Sequence, residues 1–298
     1  MQIIIPMSGR GNRFVKAGYA TPKCLLTVDG KPVIERVVNM FPGENDFLFI
    51  CNKEHLQNTE MESILKHIKP DGKIRMIESH KLGPVFAVSK IMDELDDNEP
   101  VMISYCDYGQ DWDFSQFKKD ADRLDFSGAV PCYTGFHPHL LHKNLYAGVL
   151  ADENGMMRDI QEKHCFTENP ENSYHSGGAY YFKSGALMKK YFRELLDLKM
   201  SLNGEYYVSM VYYLLKRDGL PVFIPTVKYF MQWGTPEDLE EYEAWSRLIH
   251  REFAKEKQFT KIPAEREKLI KIPYEKGSEE FEKSYRYWKN YFTKTWST

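Results

Sequence analysis

The chain has 298 residues, with Lys+Arg 40 against Asp+Glu 43 for a formal charge of −3, and is 42% hydrophobic and 14% aromatic. That is enough for a substantial core in one large or two modest domains, and the near-zero charge argues against bulk nucleic-acid binding. No uncharged apolar run reaches the roughly 18 residues of a membrane span, and the opening MQIIIPMSGR lacks the basic region of a signal peptide. Cys24, Cys51, Cys106, Cys132 and Cys165 never fall in C-x-x-C spacing and read as reduced thiols of a cytoplasmic protein.

In chain order, short runs rich in Ile, Val, Phe and Met predict buried strands over Gln2–Met7, Asp46–Asn52, Lys73–Ser79 and Val101–Tyr105. Helical spacing over Pro32–Met40, Lys53–His67 and Pro84–Leu95 alternates with them. This predicts an α/β fold with a Rossmann-like, mixed but mainly parallel sheet flanked by helices. Ligands of such sheets collect at the carboxyl ends of the strands, here after Met7 and Tyr105. Next, Ala129–Thr134, Leu145–Ala151, Met156–Lys163 and Gly178–Phe182 predict a mixed-sheet insertion covering the cleft, with a turn at Asp152–Gly155. Helices follow over Asn203–Arg217 and Pro236–Lys257, with a strand at Pro221–Pro225 between them.

Composition then changes. Residues 247–298 carry 13 Lys/Arg against 8 Asp/Glu, whereas residues 1–246 carry 27 against 35. Phe281, Tyr285, Trp288 and Phe292 share one helical face in a segment, Phe281–Trp296, with seven aromatics in sixteen residues. The reading is a core domain over 1–246 and a basic, aromatic helical extension over 247–298. The aromatic face requires a partner, either its own core or a second subunit of a homo-oligomer.

The loop Ser8-Gly9-Arg10-Gly11-Asn12-Arg13-Phe14 places small residues and backbone N–H groups where the first parallel strand ends, which suits a polyphosphate. It is not a G-x-x-x-x-G-K-[ST] loop, and Phe14 replaces the third glycine of a dinucleotide fingerprint. Arg13 and, after Pro22, Lys23 bracket the turn with the cations that a triphosphate requires. A plain βα turn with surface cations is the bland alternative.

Pro6–Phe14, Pro22-Lys23 and Asp29–Ile34, together with Lys16–Tyr19 and Gly234–Leu239, resemble the sugar-phosphate nucleotidyltransferases, also called nucleoside-diphosphate-sugar pyrophosphorylases. The resemblance runs to about Trp245 and is strongest to the branch serving capsule and surface-polysaccharide synthesis. It implies transfer of a nucleotidyl group from an NTP (CTP, GTP, UTP or dTTP) to a phosphorylated small molecule, foremost a sugar 1-phosphate, with Mg²⁺. Met7, Ser8, Gly9 and Gly11 would hold the nucleotide, with Arg13 and Lys23 on its phosphates and Leu82-Gly83 against the base. Asp107 would bind the metal, Lys163 of Glu162-Lys163 would contact the acceptor phosphate, and Gly177 and Gly178 would contact the acceptor. The family usually carries an aspartate where this chain has Gln232, leaving an uncharged second metal ligand. His164 stands where the family has proline and reads as a turn residue.

The chemistry suits this set. An anionic phosphate oxygen attacks the α-phosphorus and pyrophosphate leaves, so charge neutralisation and alignment matter more than a general base. Other readings stay open. A cytidylyltransferase acting on a non-sugar phosphate (phosphocholine-, phosphonate- or phosphoglutamine-like) is one. Asp111-Trp112-Asp113 is formally the D-x-D of a GT-A glycosyltransferase, although Asp113 also makes a good helix cap. A catalytically silent nucleotide-binding module is the third. Asp107 has a bland reading as a cap on a following helix. His137, His139 and His142 read as solvated loop histidines, and Tyr206-Tyr207 and Tyr212-Tyr213 as packing residues of a buried helix.

Overall fold

A computed structural model of the chain describes residues 1–142, 146–253, 255 and 262–295. Leu145 of one expected strand, Ala254, Glu256 and Lys257 of one expected helix, and Trp296 lie outside the described residues. Strand β1 (Gln2–Met7) is followed by α1 (Asn12–Lys16), a hairpin of β2 (Thr27–Val28) and β3 (Lys31–Pro32), α2 (Val33–Val38), β4 (Phe47–Asn52), α3 (Lys53–Asn58) and α4 (Met61–Ile68). Then come β5 (Lys73–Ile77), α5 (Gly83–Ser89), β6 (Val101–Ser104), β7 (Tyr108–Asp111), α6 (Phe114–Arg123), β8 (Gly128–Ala129) and β9 (Cys132–Tyr133). The insertion supplies β10 (Gly148–Ala151), β11 (Met157–Gln161), β12 (Tyr174–Ser176) and β13 (Ala179–Phe182). The chain continues through α7 (Gly185–Asp197), α8 (Val208–Arg217), β14 (Val222–Phe223), β15 (Thr226–Val227) and β16 (Tyr229–Gln232) to α9 (Pro236–Glu252), α10 (Ala264–Glu267) and α11 (Glu279–Thr295).

The main sheet has seven strands in the order β14-β8-β13-β6-β1-β4-β5. β1 pairs in parallel with β4 and β6, β4 with β5, and β14 with β8, while β13 runs antiparallel between β6 and β8. The expected mixed, mainly parallel sheet is therefore present. A second sheet, β11-β10-β12-β9-β15, stands beside the cleft, and β16 pairs antiparallel with β7. Strand alternation divides the core. Ile3, Ile5 and Met7 face one cluster with α2 and the C-terminal aromatics, whereas Ile4 faces the other with Val85, Phe192 and Val211.

Local chemistry explains where the elements depart from simple periodicity. The segment Lys53–His67 forms two helices rather than one, because the Thr59 hydroxyl donates to the His55 carbonyl (2.6 Å) and accepts from Met61 N–H (3.3 Å). Ala129–Thr134 divides between two sheets around Pro131, which has no N–H to give a ladder. The helix expected from Asn203 starts only at Val208, since Asn203 (φ 53) and Gly204 (φ 79) form a left-handed turn. Residues 246 and 247 lie within the single helix α9. Among the described residues no helix is long and apolar enough to cross a membrane.

The aromatic face of α11 docks on this chain's own core. Trp288 and Phe292 meet Tyr242 edge-on at 5.3 and 5.4 Å, and Phe281 lies 5.2 Å from Trp245. The Tyr287 hydroxyl accepts from Phe230 N–H (3.1 Å) and donates to the Phe230 carbonyl (3.0 Å), pinning β16. Trp288 is 6% exposed, so Trp288→Ala should cost about 3–5 kcal/mol in urea unfolding. A loss below about 1 kcal/mol would mean that α11 is not docked this way.

Candidate active site

A cleft of about 570 Å³ opens at the carboxyl ends of β1 and β6. Met7, Ser8, Gly9, Gly11 and Arg13 line it from the first loop, and Lys23 and Asp107 also face it. Gly11 begins α1 with φ 64, a left-handed conformation that favours glycine and turns the loop back across the strand end. Lys23 Nζ donates to Asp107 Oδ2 at 2.5 Å. Burial works against the Lys23 charge, but Asp107 outweighs it and the ammonium is held above its usual range. Trp233 N–H donates to the Asp107 carbonyl (2.9 Å), and a Cβ at Gly234 would lie 3.2 Å from Asp107 Oδ2. The turn after β16 is thereby seated against this carboxylate. Strand β7 follows Asp107 directly, so the residue caps no helix.

Glu162, Lys163 and Gly178 come to the same cleft from the insertion, and Gly83 comes from the start of α5. Gly83 (φ 83) is required there, because a Cβ would lie 2.8 Å from the backbone N and O of Tyr206. Lys163 Nζ donates to the Tyr207 hydroxyl (3.0 Å) and lies 4.9 Å from that ring's centroid. Glu162 accepts from Ser209 Oγ at 2.5 Å, and burial pushes its carboxyl up to about 6.

Three of the expected residues do not line the cleft. Leu82 projects outward and is 38% exposed, whereas its neighbours Lys81 and Gly83 face inward. Gly177 faces the interior, where a Cβ would meet Gln110 Oε1 at 2.7 Å. Gln232 lines a separate cavity of about 20 Å³ with His139, Glu241 and Trp288. Its side-chain amide donates to Asp238, which does face the cleft. Asp238 also accepts from the Thr235 hydroxyl (2.7 Å), and burial pushes its carboxyl up to about 6. Asp238 lies inside the Gly234–Leu239 motif, so its position was legible even though its exposure to the cleft was not.

Other cleft residues carried no one-dimensional signal. Tyr105, Tyr146, Tyr180 and Glu205 converge only through the fold, as does His80. Tyr207 belongs with them and corrects the packing-helix expectation, since it lies before α8 and holds Lys163. Tyr212 is buried as expected, but Tyr213 is 45% exposed. The histidine expectation is also corrected, because His137 and His139 are buried beside Tyr133, with burial holding His137 at about 4. Only His142 is half-exposed, and its Nε2 donates to the Glu241 carboxylate (3.1 Å) and lies 3.0 Å from the Tyr274 hydroxyl. Asp111 pairs with Lys294 and Asp113 caps α6, so the D-x-D is absent from the cleft lining. His164 packs edge-on against Phe166, also outside that lining.

This fold and strand-end cleft define an NTP-transferase domain. Residues 3–167 match the family described as the MobA-like NTP transferase domain, and the chain belongs to that family. Its relatives include the bifunctional protein GlmU of Methanocaldococcus jannaschii, 26% identical over 243 residues, covering 81% of this chain and 53% of that one. The chain thus spans about half the length of the curated relatives it matches. Among solved structures, a nucleoside-diphosphate-sugar pyrophosphorylase from Vibrio cholerae RC9 superposes with a TM-score of 0.65 at 19% identity, covering 80% of this chain and 97% of the other. A putative glucose-1-phosphate thymidylyltransferase from Bacillus anthracis gives 0.63 at 21% identity, covering 80% of this chain and 92% of that one, and the inositol-1-phosphate CTP transferase from T. maritima gives 0.61 at 17%, covering 80% and 90%. At these identities the likeness concerns the fold.

The raised Glu162 carboxyl has a thermodynamic consequence. Its folded value, about 6, exceeds its ordinary 4.5, so the folded chain binds this proton more tightly than the unfolded chain does. That contribution is full below about pH 4.5 and is lost as pH rises through about 6. Glu162→Gln cannot ionise and should gain on the wild type by on the order of 1–2 kcal/mol between about pH 4.5 and pH 7. Denaturant unfolding at both pH values checks this, and a constant difference would refute it.

Proposed function

We propose that this chain transfers a nucleotidyl group from an NTP to a phosphorylated small molecule, foremost a sugar 1-phosphate, releasing pyrophosphate. The observation that carries the reading is that the Lys23–Asp107 pair and Arg13 line one cleft, with Lys163 on the insertion facing the same space. Arg13 and Lys23 neutralise the triphosphate, and Lys163 draws the acceptor phosphate toward it. Tyr207 fixes the Lys163 ammonium, limiting its rotamer freedom. The nucleophile is already anionic, so alignment and neutralisation suffice.

The donor set fits Mg²⁺. Asp107 and Asp238 give the cleft two hard carboxylates, and Mg²⁺ commonly takes one or two of these together with substrate phosphates. Among the described residues no group of three His, Cys, Asp or Glu forms a self-contained metal site. Asp107 would hold it, with Asp238 alongside and Gln232 orienting Asp238. When bound, Mg²⁺ supplies charge neutralisation at the phosphates. The nucleoside-diphosphate-sugar pyrophosphorylase and the putative glucose-1-phosphate thymidylyltransferase among the structural neighbours favour a sugar phosphate, while the inositol-1-phosphate CTP transferase on the same fold favours the second reading, a non-sugar acceptor. A cytoplasmic role in capsule or surface-polysaccharide synthesis accords with the five unpaired thiols and the motif resemblance.

Incubation with each of CTP, GTP, UTP and dTTP, Mg²⁺, pyrophosphatase and a panel of phosphorylated acceptors should release phosphate for one pairing. Arg13→Ala and Asp107→Asn should each lower that turnover by about 10²–10³-fold. Wild-type turnover in both variants would overturn the site, and no release with any pairing would overturn the function.

A further inference from the structure

Ser8 begins the loop after the first strand at 3% exposure, lines the cleft, and has its carbonyl held by Asn52 Nδ2 at 3.1 Å. His80 faces it across the cleft mouth, with Nε2 3.2 Å from Ser8 Oγ. The other ring nitrogen decides what this contact is. Leu82 N–H lies 3.2 Å from His80 Nδ1, and a backbone N–H can only donate. Nδ1 is therefore the acceptor and carries no proton, which places the proton of the neutral ring on Nε2. Burial, reinforced by Lys90, holds His80 below its ordinary value and so keeps it neutral.

Nε2–H then donates to Ser8 Oγ, and the serine's own proton must point elsewhere. Among the described residues the Ser8 hydroxyl makes no other hydrogen bond, and the space before it is the cleft. Arg10 Nε donates to Ser79 Oγ (2.6 Å), a second tie between the glycine loop and the 79–83 loop that fixes this geometry. The His80 ring packs edge-on against Phe86 at 4.8 Å, and its contacts at both nitrogens together set its orientation. Met7, Pro84 and Ala87 supply apolar walls around this corner, which suit the flat face of a base better than a phosphate.

We propose that Ser8 donates a hydrogen bond to a carbonyl oxygen of the bound nucleobase, with His80 as the residue that holds the hydroxyl in its donor state. This rests on the reading of the cleft as an NTP site and deepens it, because a hydroxyl fixed as donor favours a base that presents a carbonyl to it over one that presents an amino group. Cytosine, uracil, thymine and guanine each offer one, whereas adenine does not.

Calorimetric binding of CTP, GTP, UTP, dTTP and ATP to the full chain, without acceptor, tests the assignment. The wild type should prefer a carbonyl-bearing nucleotide, and Ser8→Ala should weaken that nucleotide by about 10-fold while leaving ATP unchanged. Unchanged binding in Ser8→Ala, or an equal loss for every nucleotide including ATP, would overturn it. The His80 tautomer gives a readout independent of any variant. Nitrogen-15 NMR of the wild type above neutral pH should show the proton on Nε2, and a proton on Nδ1 would overturn the proposal. Binding of no NTP by the wild type would instead overturn the underlying reading of the cleft as well.

Discussion

The contact between Lys23 and Asp107 is the constraint on which the site depends. Each side chain is only about a quarter exposed, so neither charge is at ease without the other. The pair joins a loop following β1 to the residue following β6, two neighbouring parallel strands whose carboxyl ends would otherwise carry unrelated turns. Its surroundings are built to suit. Cys24 and Cys106, the chain neighbours of the two partners, are buried and their thiols are pushed up by burial, so they add packing without added charge. The turn after β16 carries glycine at 234, where a larger residue would crowd the Asp107 carboxylate.

The C-terminal segment supports both halves of this arrangement from behind. Tyr287 satisfies the backbone of Phe230, two residues before Gln232, while Lys294 pairs with Asp111 on the partnering strand. Near α10, Arg266 forks onto Glu240 (2.5 and 2.9 Å), which also accepts from Tyr19 (3.0 Å) in the loop leading to Lys23. The opposite charge balances of the core and the tail therefore have a structural use. Basic residues of the tail meet acidic residues of the core at defined points, and the apolar face of α11 supplies the burial that makes those contacts persist.

The central sheet was legible because parallel strands buried on both faces give continuous apolar runs, as Ile3–Ile5 and Phe47–Cys51 do. The glycine loop, Arg13, Lys23 and Asp107 were legible because they sit at strand ends, where motif and topology agree. Failures arose where a distant partner sets the environment. The histidines at 137 and 139 looked solvated in a polar loop, yet Tyr133 and the docked Tyr287 enclose that loop. Tyr207 looked like a helix residue because Asn203-Gly204 disguises a left-handed turn within a helical pattern. Helix α11 was readable as an amphipathic face, but its seat on Tyr242 and Trp245 depends on pairings that no periodicity reveals.

The uncharged side chain at position 232 also suits its neighbours. A carboxylate there would face Asp238 at hydrogen-bonding range, with Glu241 and Glu237 adding further repulsion to a group that burial already disfavours as an anion. An amide instead donates its N–H to that same carboxylate and lowers the cost of its negative charge. Gln232 and Asp238 thus form a matched pair in which the amide behind the cleft wall carries no charge and the carboxylate presents its own to the cleft. The neutral amide of Gln232, at the end of β16, lets the Asp238 carboxylate near the start of α9 line the same cleft as Asp107.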